Sequence, residues 1–261
     1  MFDVTRHLPA IMPMAAGGLE RLRWKGLTAH IGPTASFTPL QKALLDKTNC
    51  ALYAIYIGCV GFCKLRTEAV LDQTMNRSLA EQIFCYQFDW RYPKLFGLPI
   101  TMVDEKAELI SAVRRSVGFY FFEIVERTPS FFHSGRPTAD VSFMINLTRF
   151  LLGDENQRVF DSWVESMIAR MDEIAPYKDH PSPRLSDYTS REEWEATVLQ
   201  VHGQPLPLNV LDPEFDPTAQ DLRALAIANL NAINPTNNPL LAPPELLRER
   251  GFTGTPYRLA S

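Results

Sequence analysis

The stretch from Cys50 to Cys63, CALYAIYIGCVGFC, contains no charge and no strongly polar side chain. Such a run has to be covered on every side, because apolar surface is driven out of water. The chain from Thr38 to Glu68 has no proline except Pro39 at its start, so the run is predicted to belong to one helix of about residues 39–66. Its length favours a helix, because buried strands usually last about 4–8 residues. The sequence therefore predicts a helix at the centre of the fold.

Charged residues limit this run at both ends. Asp46 and Lys47 precede it, and Lys64 and Arg66 follow it. A transmembrane helix needs about 20 apolar residues, so we expect a buried core helix and no stable membrane insertion. Two alternatives stay open: a re-entrant membrane segment, and a strand, since the run is rich in Tyr, Ile and Val. A neighbouring helix is expected to pack closely at Gly58 and Gly61, since each glycine costs about 1 kcal/mol against alanine in a helix.

Composition narrows the class of protein. The 261 residues are 46% hydrophobic and include 16 Phe, which is enough for a sizeable core. The formal net charge of −4 argues against a nucleic-acid-binding surface. The first residues show no charged leader followed by a sustained apolar stretch. The four cysteines lie among apolar neighbours without a CxxC spacing, which favours buried free thiols and a cytoplasmic location.

The distribution of proline predicts the organisation of the chain. Of 20 prolines, only Pro93 and Pro99 fall between Leu40 and Thr128, whereas the C-terminal third is rich in them. Because proline breaks helices, we predict a helical body over residues 38–175 and short helices with Pro-rich loops, packed on that body, over residues 176–261. Residues 1–37 are predicted to be irregular, with a small hairpin around Gly26 as one interpretation.

Apolar spacing and capping residues predict the individual helices. The spacing indicates helices over about residues 68–90, 105–127, 137–152 and 154–175. A capping box of Ser190 and Glu193 starts the next helix. A further helix is predicted from Asp216–Pro217 to Ile233, and a last one begins at Pro243–Pro244. The fold class is all-α: a single globular domain with seven or eight helices around the helix of residues 39–66.

Sequence motifs for catalysis and cofactor binding are weak. No histidine follows a glutamate by three residues, no zinc-protease motif occurs, and no glycine-rich phosphate loop is present, so we predict no metal site and no cofactor. The segment FFHSGRPTAD brings His133, Arg136 and Asp140 together within eight residues. These are weak catalytic candidates, because loops present functional residues more often than cores do. The alternative is an ordinary loop that caps the following helix.

An acidic loop is the most informative surface feature. Residues 204–221, QPLPLNVLDPEFDPTAQD, contain no Lys or Arg and combine acids with apolar side chains. Complementary charge speeds association, so this loop is predicted to bind a basic protein. The predicted binding residues are Asp212, Glu214, Phe215, Asp216 and Asp221. In the alternative interpretation, the apolar residues simply pack against the body.

Two hypotheses about function follow. The first is a cytoplasmic, non-catalytic protein-binding protein, such as an acidic inhibitor or an immunity-type protein that neutralises or adapts another protein. The second is a helical enzyme or carrier for a small apolar ligand, with a pocket near residues 119–140 that is lined by Phe119–Phe122 and gated by residues 129–137. The sequence favours the first and leaves the oligomeric state open.

Overall fold

The computed structural model describes residues 2–18, 38–70, 74–94, 136–177 and 185–261. The predicted hairpin around Gly26, the predicted helix of residues 105–127 and most of the predicted pocket near residues 119–140 lie outside these ranges. Within them the chain is all-α, with no strand and two isolated β-bridges, Lys47 with Pro176 and Pro93 with Leu241. The predicted fold class is confirmed.

The described residues form eight α-helices and four short 3₁₀ turns. The helices are α1 (Pro39–Leu45), α2 (Asn49–Thr67), α3 (Thr74–Tyr86), α4 (Arg136–Leu152), α5 (Asp154–Ile174), α6 (Arg191–His202), α7 (Leu222–Asn231) and α8 (Pro244–Glu249). The 3₁₀ turns are Val4–His7, Leu185–Asp187, Leu208–Leu211 and Pro235–Asn237.

The predicted single helix of residues 39–66 is in fact two helices. Helix α1 ends at Leu45, and Thr48 caps α2 by accepting a hydrogen bond from the backbone N–H of Ala51. A threonine hydroxyl that satisfies the first turn of a helix competes with continuation of the preceding one. Lys47, one of the three residues between the two helices, is buried. Its ammonium donates to the carbonyl of Ala43 at 2.5 Å and to Asp172 at 2.8 Å. The break therefore has a cap on one side and, beside it, a buried lysine paired with an exposed aspartate.

Helix α2 lies at the centre of the fold, as predicted. All its residues from Asn49 to Cys63 are buried, and α3, α4 and α5 pack around it. With 19 residues it is long and apolar enough to cross a membrane, so length does not separate the two interpretations as the sequence argument assumed. Burial does, because 89% of its most apolar window is covered by the rest of the protein.

The other helix boundaries follow the sequence signals with two notable differences, at α3 and α7. Helix α3 (Thr74–Tyr86) is shorter than the predicted helix of residues 68–90, since residues 68–70 and 87–88 form turns. Ser190 caps α6, as predicted, by accepting from the N–H of Glu193. Helix α5 is capped by Gly153 in a positive-φ conformation (φ 68°), and Asp154 is its first residue. Helix α7 begins at Leu222 with Asp221 as its cap, five residues after the predicted start at Asp216–Pro217. The side chain of Asp216 instead accepts hydrogen bonds from Thr218 and forms a local turn before the helix.

Residues 234–261 pack across the end of α3 and the turn that follows it. Asn238 donates to the buried carboxylate of Glu81 and to the carbonyl of Ser78, both at 2.9 Å. The hydroxyl of Tyr257, a residue that is 1% exposed, donates to carbonyl groups of Tyr92 and Ala242 at 3.2 and 3.0 Å. These bonds join the C-terminal segment to the helical body.

Candidate functional site

The acidic loop (residues 204–221) follows α6 and contains the 3₁₀ turn Leu208–Leu211. Its four aliphatic residues are at most 4% exposed and belong to the core: Leu206, Leu208, Val210 and Leu211. Phe215 is half-buried and packs against the same core. The apolar part of this loop therefore packs on the body, as in the alternative interpretation.

Two side chains of α5 bind the backbone of the acidic loop. The indole of Trp163 donates to the carbonyl of Leu211 at 2.9 Å. The guanidinium of Arg170 donates to the carbonyls of Val210 and Pro213, both at 2.8 Å, and to that of Asp212. Trp163 and Arg170 are seven residues apart on one face of α5. The middle of the loop is thus held by the helix beneath it.

Three of the four acids also fold the chain locally. Asp212 accepts from the N–H of Glu214, and Asp216 accepts from the N–H and hydroxyl of Thr218, at 2.8–2.9 Å. Such Asx turns are typical of Asp in loops. Asp221 caps α7 through the N–H of Ala224 at 3.0 Å. The hydrogen bonds from Thr218 lower the pKa of Asp216 below its usual value.

The exposed charge of the loop remains negative. Glu214, Asp216 and Asp221 are exposed, and Asp212 is half-buried. Burial lowers the pKa of Arg170, while the carboxylates around it, Asp212 foremost, act in the opposite direction. A single half-buried guanidinium therefore lies among several carboxylates, so the solvent-facing part of the loop presents acids on a fixed backbone.

The three weak catalytic candidates, His133, Arg136 and Asp140, do not share a described loop. His133 lies outside the described residues. Arg136 is the first residue of α4 and Asp140 lies one turn further on, so both are on a helix and not in the predicted loop, and their side chains are outside the described part. The catalytic assignment of these three residues stays a prediction.

The four thiols have the properties of core side chains. Cys50, Cys59, Cys63 and Cys85 are all free and buried. Burial raises the pKa of each, that of Cys63 to about 11, so the reactive thiolate is scarce at neutral pH. Across the described ranges, no group of three or more His, Cys, Asp or Glu residues is arranged to hold a metal ion.

A second concave region, which sequence reasoning missed, lies at the C-terminal end of α6. His202 ends this helix, and its Nε2 atom lies 2.8 Å from the carbonyl oxygen of Gln87. Burial lowers the pKa of His202, which favours the neutral imidazole. Beside it, residues of α7, of the turn after α3 and of the C-terminal segment line a groove of about 360 Å³. These residues lie far apart in the sequence, so no local sequence motif predicts the groove.

Comparison with known proteins identifies no relative. The chain matches no protein-family model, and no curated protein or solved structure shows significant similarity to it.

Proposed function

We propose that this chain is a non-catalytic binding protein whose acidic loop binds a basic protein. In this proposal it acts in the cytoplasm as an inhibitor or immunity-type protein that neutralises or adapts its partner. The observation that supports it is the attachment of the loop to α5: Arg170 alone bonds three carbonyl groups of the loop backbone, those of Val210, Asp212 and Pro213. A surface that is already ordered loses little conformational entropy on binding.

The exposed carboxylates supply the charge that the proposal needs. Glu214 and Asp216 project from the ordered part of the loop, and Asp221 follows at the start of α7. A cluster of like charges accelerates the encounter with a partner of opposite charge by about tenfold or more at low ionic strength. Four buried free thiols support the cytoplasmic location, because reducing compartments keep cysteines unpaired.

The test removes charge without removing the turns. In the triple variant Asp212→Asn, Glu214→Gln, Asp216→Asn the amides at positions 212 and 216 keep an oxygen that accepts the turn hydrogen bonds. The matched control, Glu192→Gln, Glu245→Gln, Glu249→Gln, removes three exposed carboxylates from α6 and α8. Each immobilised protein is incubated with lysate of the native cells, and captured proteins are identified by mass spectrometry.

We expect a basic protein that the wild type and the control variant capture and that the loop variant does not. Its association rate with purified wild type should exceed that with the loop variant by about tenfold at low salt, and the difference should shrink at high salt. Equal capture by all three proteins, or an association rate that does not change with the loop charges, would contradict the proposal.

The alternative, a helical enzyme or carrier with a pocket near residues 119–140, stays a prediction. Most of that segment lies outside the described residues, so no described contact favours that position for a pocket.

A further inference from the structure

The groove at the end of α6 has the size and composition of a small-molecule site. Its volume of about 360 Å³ lies within the usual range for ligand pockets, about 300–1,000 Å³. Four separate parts of the chain form it: the turn after α3, the end of α6, helix α7 and the C-terminal segment. The acidic loop contributes only its first two residues, Gln204 and Pro205, so this site does not depend on the function proposed above.

Most of the groove is lined by carbon. The apolar lining residues are Phe88, Leu199, Ala226, Ile227, Phe252 and Leu259. Leu199 is 70% exposed and adds solvent-accessible apolar surface to the lining. The ring of Phe252 is held in place by Tyr92 at a centroid distance of 5.2 Å and by the guanidinium of Arg91 at 4.9 Å. A ligand that fits here must therefore have an apolar body.

The charged residues of the groove differ in whether they are compensated. The two carboxylate oxygens of Asp89 accept hydrogen bonds from Nε and Nη2 of Arg91, at 2.9 and 2.6 Å. Arg223 is exposed and forms no salt bridge with any carboxylate in the described part of the chain. Within the described residues Arg223 is thus a groove cation without a salt bridge, which favours an anionic group on the ligand.

A buried polar atom of a lining residue adds a second, independent observation. Gln87 is 1% exposed, and its Nε2 atom has no hydrogen-bond partner among the described residues. The other end of the Gln87 amide is used, since its oxygen accepts from the N–H of Leu206 at 3.0 Å. Buried donors without acceptors are rare, and an oxygen atom of a bound ligand is one group that satisfies such a donor.

We propose that this groove binds a small carboxylate with an apolar body, such as an aliphatic or aryl-substituted carboxylic acid. The body lies against the ring of Phe252 and the side chain of Ile227, and the carboxylate faces Arg223. The probe is 4-phenylbutyrate, compared with its uncharged amide, 4-phenylbutyramide. Binding is measured by ligand-observed saturation-transfer NMR titration, which suits weak affinities.

Two pairs of variants with exposed positions test the site. Leu199→Glu places a carboxylate at the groove, whereas Gln200→Glu adds the same charge to the neighbouring residue of α6, which does not line it. Arg223→Gln removes the cation, and Arg248→Gln removes an equally exposed one from α8. Circular dichroism checks that each variant is folded.

We expect the wild type to bind the carboxylate about two- to fivefold more tightly than the amide, the range of a solvent-exposed ion pair. Arg223→Gln should abolish this preference and Leu199→Glu should abolish binding, while both controls behave as the wild type. The proposal is overturned if the wild type binds neither probe or binds both equally. It is also overturned if Leu199→Glu binds as well as Gln200→Glu.

Discussion

At Gly58 the absence of a side chain on the central helix makes room for the ring of Trp163 from α5. A Cβ atom built on Gly58 would overlap two carbons of this ring, and the indole N–H of the same ring bonds the acidic loop. Gly61, one turn away, faces the ends of the Val4 and Leu8 side chains. One glycine thus meets a rigid ring and the other meets aliphatic groups that can move.

This difference predicts unequal effects of alanine. Alanine at either site gains about 1 kcal/mol of helix propensity over glycine, whereas overpacking costs about 1–3 kcal/mol. We expect Gly58→Ala to lower the free energy of unfolding by about 1–2 kcal/mol, since Trp163 is 1% exposed and confined. Gly61→Ala should be nearer neutral. Urea unfolding followed by fluorescence measures both, and a more stable Gly58→Ala protein would refute the close contact.

Among the elements, α5 has a function beyond packing. Its core face contains Phe160 and Trp163, whose rings pack on Phe62 of the central helix at centroid distances of 5.1 and 5.0 Å. Arg170, two turns beyond Trp163, then binds the acidic loop. The same helix therefore supports the core and orders a surface loop.

Replacing Arg170 should release that loop selectively. In Arg170→Met three carbonyl acceptors lose their donor, at a cost of about 1–3 kcal/mol in unfolding free energy. We expect faster amide hydrogen exchange over residues 210–216, with little change in α7, which Asp221 caps independently. Arg158→Met, at an exposed position of the same helix, is the control. Exchange that is unchanged in the loop of the Arg170 variant would show that Arg170 does not hold it.

At the scale of the whole molecule, segments from both ends of the chain cover the central helices. Arg66, at the end of α2, donates to the carbonyls of Met12 and Leu151 at 2.9 and 3.2 Å and pairs with Glu155 at 2.5 Å. The guanidinium therefore joins the N-terminal segment, the end of α4 and the start of α5. The C-terminal segment closes the opposite side through Asn238 and Tyr257.

This enclosure predicts how the thiols react. All four cysteines are buried and their pKa values are raised by burial, so the native protein should react with Ellman's reagent at less than about one thiol per chain. In denaturant all four should react, and the native labelling rate should follow the rate of unfolding. Rapid labelling of a native thiol would place that cysteine outside the core.

Prediction from the sequence succeeded where the signal was local. Pro39, Ser190 and Pro244 all mark helix starts, because a cap or a first-turn proline acts on atoms within three or four residues. It failed at Asp46–Thr48, where the absence of proline predicted one continuous helix, but the chain breaks at a cap and a buried lysine whose partner, Asp172, is distant in sequence. In the acidic loop, the sequence shows which residues are acidic and which are apolar, but it does not decide that the aliphatic side chains are buried while most of the acids stay exposed.

By itself, the sequence determined that the chain is helical and that the uncharged cysteine-bracketed run is buried, because hydrophobic burial and capping act through composition and near neighbours. Only the tertiary structure decided that Arg170 holds the acidic loop, which of its side chains face water, and that four distant segments form a groove beside Arg223. These features arise from contacts between residues far apart in the chain, and no local periodicity encodes such contacts.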